Sequence, residues 1–272
     1  MTDITLHSLL ADDSKRFVLW SGSSTTHSNI AIKQFRTWDE RLMKRELRIM
    51  RRLEHDGVLA FFFASHDSSS LYVGLEKADD GDLFTLLARK GRLSKTVTTS
   101  YITQLCDALA HLHGRGIIHR NLGPENILLT DHFRTVKLGG FSSMCDIPYA
   151  GQCVSLCGDN VEYMSPEQIT QAHVGTACDL WGLGCLISEM LCGSTPFCEE
   201  SAIALVQRIL TANPTRRWRE TLSDKDKDLI NELLCVDPAM RLSLSNLRGH
   251  QWMHIENDPP LRICNLTLIG QA

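Results

Sequence analysis

The residues of this 272-residue chain that could do chemistry on their own are ten cysteines and one carboxylate set in an apolar stripe. Thiols serve as disulfide halves, zinc ligands or nucleophiles, and their spacing separates these uses. No Cys-x-x-Cys occurs, and Cys153 and Cys157 have no histidine or cysteine partners at zinc-site spacing, so no metal site is expected. Cys106, Cys178, Cys185, Cys192 and Cys235 sit in apolar helical patterns, where a free thiol behaves as a small hydrophobe. Reduced thiols in an intracellular, cytoplasmic setting are the expectation, with the nucleus left open. The carboxylate is Glu46. It shares a helical face with Leu42, Ile49 and Leu53, so it needs an inward partner or must reach out to water.

The elements around these residues follow from patterning. The helix carrying Glu46 starts at Thr37 and Glu40, which have capping-box spacing. Residues 30–35, 58–63 and 71–76 are short apolar, β-branched runs that predict strands. After an acidic turn at 79–82 the pattern becomes helical, with Ile102, Leu105, Cys106, Leu109 and Leu112 at helix spacing up to Gly114. Residues 117–142 read as short strands and loops, 179–192 as an apolar helix closed by Gly193, and 200–212 and 224–235 as amphipathic helices. A β-rich unit at 1–77, a helical unit at 78–254 and a tail at 255–272 make an α+β chain with a cleft at the join.

Bulk properties exclude several classes. A formal charge of −4 and a pI near 6.2 give no electrostatic case for nucleic acid or an anionic membrane. The first residues are polar and acidic where a secretory leader is basic and then apolar, and no apolar run approaches a membrane span. The sequon at Asn265 is therefore expected to be idle.

Six motifs in order resemble the protein-kinase catalytic domain: AIK at 31–33, HRNLGPENILL at 119–129, VKLGGFSS at 136–143, YMSPEQ at 163–168, DLWGLGC at 179–185 and DPAMR at 237–241. ADDGDLF at 78–84, the stretch from Trp218 to Arg241 and the closing HQWM are similar to the calmodulin-dependent and AMP-activated groups of Ser/Thr kinases. The resemblance implies a bilobal fold and assigns positions in it. Lys33 matches the lysine that holds the α- and β-phosphates, Glu46 its helix partner, and Asn126 the second metal ligand. Val18, Ala31 and Leu128 match the residues that stack on adenine, Leu75 the gatekeeper, and Glu76 to Ala78 the hinge. Met50, Phe61, His119 and Phe141 match a spine of stacked side chains. Glu167 and Arg241 match a buried ion pair, and Asp179 the anchor of the catalytic loop. Arg120 matches a residue that pairs with a phosphorylated activation segment, in which Ser155 holds the phosphosite position.

Elsewhere the chain departs from the family. ADDSKRFV at 11–18 stands for the glycine-rich loop, with Ala11, Asp13 and Arg16 at the glycine positions and Asp12 and Asp13 bringing negative charge toward a triphosphate. Asn121 replaces the proton-accepting aspartate, and an amide can hydrogen-bond a hydroxyl but cannot take its proton. Gly123 replaces the phosphate lysine, Gly140 the magnesium carboxylate and Asp159 the usual Ser/Thr of the substrate loop. These departures lead to the expectation of a pseudokinase, a catalytically inactive or severely impaired domain acting as a scaffold or allosteric regulator. The implied partner is a protein such as an active kinase, a ligase or a signalling complex. The implied cofactor is none, with ATP held weakly and without Mg²⁺ if at all. Two other readings stand beside it: a nucleotide-binding switch without phosphotransfer, and a weak, atypical Ser/Thr protein kinase.

Overall fold

The computed structural model describes residues 3–13, 17–147, 160–172 and 174–254. The early apolar runs form one antiparallel sheet of five strands: β1 (Ile4–Asp13), β2 (Phe17–Ser24), β3 (Ile30–Phe35), β4 (Phe61–His66) and β5 (Leu71–Leu75), in the order β1-β2-β3-β5-β4. The stretch Ala11 to Asp13 and Phe17 to Val18, expected as loop, is strand, with Asp12 opposite Val18 and Asp13 opposite Phe17. Lys15 and Arg16 lie outside the described residues. The strand expected at 58–63 runs three residues later, because Val58 and Leu59 turn instead to Leu138, as a parallel bridge and an N–H to carbonyl bond of 3.0 Å.

Helix α1 (Glu40–Met50) follows β3. Its cap is Asp39, whose extended backbone lets its carboxylate accept the Leu42 N–H at 2.9 Å, so Thr37 lies outside the helix. A carboxylate at this end also meets the positive pole of the helix. The inward stripe runs through Met43, Ile49 and Met50, all buried, whereas Leu42 is 63% exposed. The Thr37 cap and the Leu42 face are thus corrected by the stronger cap two residues on.

The rest of the chain is mainly helical: α2 (Leu83–Lys90), α3 (Lys95–Gly114), α4 (Pro166–Ile169), α5 (Ala177–Cys192), α6 (Ala202–Leu210), α7 (Arg216–Thr221), α8 (Asp224–Leu233) and α9 (Leu244–Arg248). Two short ladders interrupt it, β6 (Ile117–Ile118) with β9 (Cys145–Asp146) and β7 (Ile127–Thr130) with β8 (Thr135–Leu138). The result is the expected α+β arrangement of a sheet lobe and a helical lobe. Helix α5 is buried on nearly every side and ends where Gly193 takes the left-handed conformation, φ 75°. Leu105, Leu109 and Leu112 of α3 pack into the same core with no solvent exposure. Cys106, Cys178, Cys185 and Cys192 are free thiols in this interior, and burial pushes the Cys106 thiol up to about 12.

One ion pair staples the helical lobe. Arg241 and Glu167 are each 5% exposed and meet two-pronged, at 2.7 and 3.0 Å. The same guanidinium donates to the carbonyls of Ala177 (2.8 Å) and Cys235 (2.9 Å), joining α4, α5 and the turn after α8. Removing one partner of such a pair strands a buried charge. Arg241→Ala is therefore expected to lower unfolding free energy by about 3–5 kcal/mol, read by urea denaturation. A loss below about 1 kcal/mol, the range of a surface pair, would contradict this account.

Candidate active site

Strand register decides which side chains share the site. Ala31 and Lys33 alternate onto one face of β3, opposite Leu75 and Val73 of β5 and Ser21 and Leu19 of β2. Val18 pairs with Gln34 and therefore points to the other face, where it is buried. Leu19, not Val18, thus stands beside Lys33, a correction that follows from the period of two. The Lys33 ammonium lies over the Phe17 ring at 4.0 Å and the Phe35 ring at 5.1 Å. Each such contact is worth about 0.5–2 kcal/mol. Neither phenylalanine was legible as a site residue, although both fall two residues from one already on that face.

Glu46 is half-buried on α1. Burial raises its carboxyl pKa, and the nearby positive charges of Lys33 and Arg45 oppose the rise without cancelling it. The inward carboxylate thus has its expected cation within electrostatic reach. Two arginines on the same helix and one just past its end reach the start of the activation segment. Arg45 donates to the Met144 carbonyl at 3.0 Å, and Arg48 (2.6 Å) and Arg52 (2.5 Å) both meet the Asp146 carboxylate. At the hinge Leu75 is buried, Glu76 bonds Lys137 at 2.6 Å, and its other oxygen accepts the Ala60 N–H at 3.1 Å. Ala78 and Leu128 are half-buried on either side of the join.

The loop after β6 hangs on Asp179 at the start of α5. Its carboxylate accepts the backbone N–H of His119 (3.0 Å) and of Arg120 (2.8 Å), and lies 2.8 Å from His113 Nε2. Burial works to raise the Asp179 carboxyl, but the bond and charge of His113 and the Arg120 N–H outweigh it and hold the group below the usual carboxylate range. Arg120 takes a positive φ of 68° there. His119 is fully buried, and burial lowers its pKa. One neutral tautomer satisfies both nitrogens: Nε2–H donates to Gly139 O at 2.7 Å and Nδ1 accepts the Asn121 N–H at 3.3 Å. Of the other spine positions, Met50 and Phe141 are buried in the main core and Phe61 packs against it.

Asn126 Nδ2 donates to the Asn121 carbonyl at 2.9 Å. Its side chain fills the place a residue-140 side chain would take. A Cβ on Gly140 would meet Asn126 Cγ and Oδ1 at 2.7 Å, and φ there is 74°. At Gly123, a Cβ would meet Glu125 Oε2 at 3.0 Å and Asn160 Nδ2 at 3.2 Å. Among the described residues, Asn160, one residue beyond the expected Asp159, reaches the catalytic loop from the substrate loop. Asp159 and Ser155 lie outside the described residues.

The protein kinase domain family matches residues 19–253. The chain belongs to that family. It is 37% identical over 79% of its length to an Aurora kinase of Yarrowia lipolytica, of which the match covers 57%. It is 34% identical over 73% of its length to a 3-phosphoinositide-dependent protein kinase 1 of Arabidopsis thaliana, of which the match covers 42%. A maternal embryonic leucine zipper kinase of Danio rerio is 33% identical over 78% of this chain and matched over 31% of its own length. The chain thus spans about half or less of these relatives.

These names overturn two expectations. Relatives named as kinases across some three-quarters of this chain stand against an inert scaffold, so the pseudokinase reading gives way to a catalytic one. A kinase uses a nucleoside triphosphate with magnesium, so the expectation of no cofactor, or of ATP without Mg²⁺, falls with it. The substitutions at 121, 123 and 140 remain. The residues present fit the nucleotide better than the metal. Lys33 and the apolar Leu19, Ala31 and Leu128 suit a base and its phosphates. For magnesium the corresponding positions offer the Asn126 amide oxygen, and among the described residues no cluster of three His, Cys, Asp or Glu side chains could hold an ion.

Two outcomes follow from this geometry. Gly140→Asp is expected to cost about 1–3 kcal/mol of stability, and the loss should shrink in an Asn126→Ala background, read by urea denaturation of both variants. Equal stability of Gly140→Asp and wild type would contradict the packing. For Glu46, a folded pKa above the unfolded value means that ionisation penalises the fold above the ordinary glutamate range. Glu46→Gln should therefore be more stable than wild type at pH 7. That advantage should fade as pH falls through the folded pKa toward the ordinary glutamate range, and an advantage independent of pH would refute the burial argument.

Proposed function

We propose that this protein is an ATP-using, magnesium-dependent Ser/Thr protein kinase of low turnover with an atypical catalytic loop. The observation that carries the reading is kinship: relatives named kinases align across most of the chain, and the family match at 19–253 takes in Lys33 and the Asp179-anchored loop. Lys33 neutralises the phosphates of the bound nucleotide, and Glu46 draws α1 and that lysine together. Leu19, Ala31 and Leu128 enclose the base, with Leu75 behind it and the backbone of Glu76 to Ala78 alongside. Magnesium, when bound with the nucleotide, supplies charge neutralisation at the phosphates. Asn121 orients the acceptor hydroxyl by hydrogen bonding, and its backbone position is held by His119.

The acceptor is a serine or threonine of a protein, the intracellular setting accords with free buried thiols, and the lobes divide between residues 77 and 78. Ordinary kinases turn over at about 1–100 per second, and a missing general base costs about 10²–10⁴. Turnover on the order of 10⁻⁴ to 1 per second is therefore expected, measured as transfer of labelled γ-phosphate to a Ser/Thr peptide with and without Mg²⁺. Lys33→Ala should abolish it. Incorporation no greater than in a no-enzyme control, with Mg²⁺ present and ATP saturating, would reject the reading.

A further inference from the structure

Strand β1 is an edge that carries exposed leucines. It stands at one end of the five-stranded sheet, and the residues between its first and last are all exposed. A strand so placed offers its outer row of N–H and carbonyl groups to another strand. Edges are commonly guarded by lysine, proline or bulges, and Ile4–Asp13 holds no lysine, arginine or proline. Its bulges do not break up the apolar surface but gather it. The pairing with β2 is irregular between Leu6 and Ser8 and again between Leu9 and Ala11, which leaves His7 and Leu10 out of the register. In a regular strand, positions 6 and 9 would face opposite ways. Here Leu6 lies opposite Gly22 and Leu9 opposite Trp20, and those two share a face of β2. Ile4, Leu6, Leu9 and Asp12 therefore line one face of β1, and Thr5, Ser8 and Ala11 the other. Leu6 is 36% and Leu9 54% exposed.

This order of faces is its own complement. Against a second β1 running antiparallel, with Ser8 on a two-fold axis, Leu6 of each copy faces Leu9 of the other. Thr5 then faces Ala11, and Ile4 faces Asp12, so that every pair lies on a common face. The two Asp12 carboxylates fall at opposite ends of the ladder, whereas a parallel pairing would set them side by side.

We propose that this protein self-associates through β1, the strands of two copies pairing antiparallel about Ser8 so that two sheets become one. The inference is independent of the catalytic reading. A single strand pair is a small interface, of the kind found in weak, reversible complexes.

The test follows the full chain by sedimentation velocity and amide hydrogen exchange over a concentration series reaching about 1 mM. The dimer fraction should rise with concentration. The β1 amides should exchange more slowly at the top of the series than at the bottom, with no such change in β4, the opposite edge. Leu6→Lys/Leu9→Lys sets like charges opposite each other twice and should weaken association about tenfold or more, as should Leu6→Glu/Leu9→Glu. Mixed together, the two variants should pair, because lysine then faces glutamate, a recovery that misfolded protein would not show. A monomer throughout the series would overturn the inference. So would a dimer that both double variants leave intact, or one that both abolish without recovery on mixing. Slow β1 exchange at every concentration in a monomer would assign this edge to another segment of the same chain, and would overturn it as well.

Discussion

The buried carboxylate of Asp179 is the constraint on which the rest of the site depends. It sits at the first turn of α5, the most thoroughly buried helix, and spends its oxygens on the amides of His119 and Arg120 and on the His113 ring. An ionised group in such surroundings is tolerable only with its bonds filled. Those bonds hold Arg120 at a positive φ, turn His119 toward Gly139 and thereby fix where Asn121 leaves the strand. Position 121 has lost its acid, yet the scaffold that would aim that acid is complete. A catalytic loop kept in shape makes a slow enzyme a physically coherent reading, because positioning and charge neutralisation carry most of phosphoryl transfer.

The sheet lobe is tied to this scaffold by charge. Asp146 at the end of β9 takes Arg48 of α1 and Arg52 just past its end, and Arg45 of the same helix reaches the Met144 carbonyl. These groups are partly exposed, so each contact stabilises the fold little. Their effect is on placement: they fix the helix that carries Glu46, and so the neighbourhood of Lys33. Lys33 itself lies over two aromatic rings, an environment that keeps its ammonium on the inner face of the sheet.

Much of this was legible in the sequence. The α+β order, the long helices ending at Gly114 and Gly193, the inward Glu46 and the Arg241–Glu167 pair follow from periodicity, stop signals and family wording. What was not legible depends on register and on side-chain reach. Val18 and Leu19 are both apolar, and only strand pairing shows that Leu19 is the one beside Lys33. Asp39 outcompetes Thr37 as a cap because of where the backbone turns extended, which composition does not reveal. Glu125 and Asn160 both approach the place a side chain at Gly123 would take, and no motif marks that approach. Activity was misjudged for a different reason: replaced residues were read as the end of a reaction, whereas the relatives of the chain are named as kinases.

The central claim is that the Asp179-held loop is working catalytic machinery. Asp179→Asn, nearly isosteric and still able to accept one hydrogen bond, tests it through hydrogen exchange at the His119 and Arg120 amides together with γ-phosphate transfer from Mg·ATP. Faster exchange confined to that loop, lost turnover and an unchanged ATP-induced rise in Tm are the predicted result. Faster exchange at those amides with wild-type turnover would show that the loop's geometry does not matter to the chemistry, and would contradict the account.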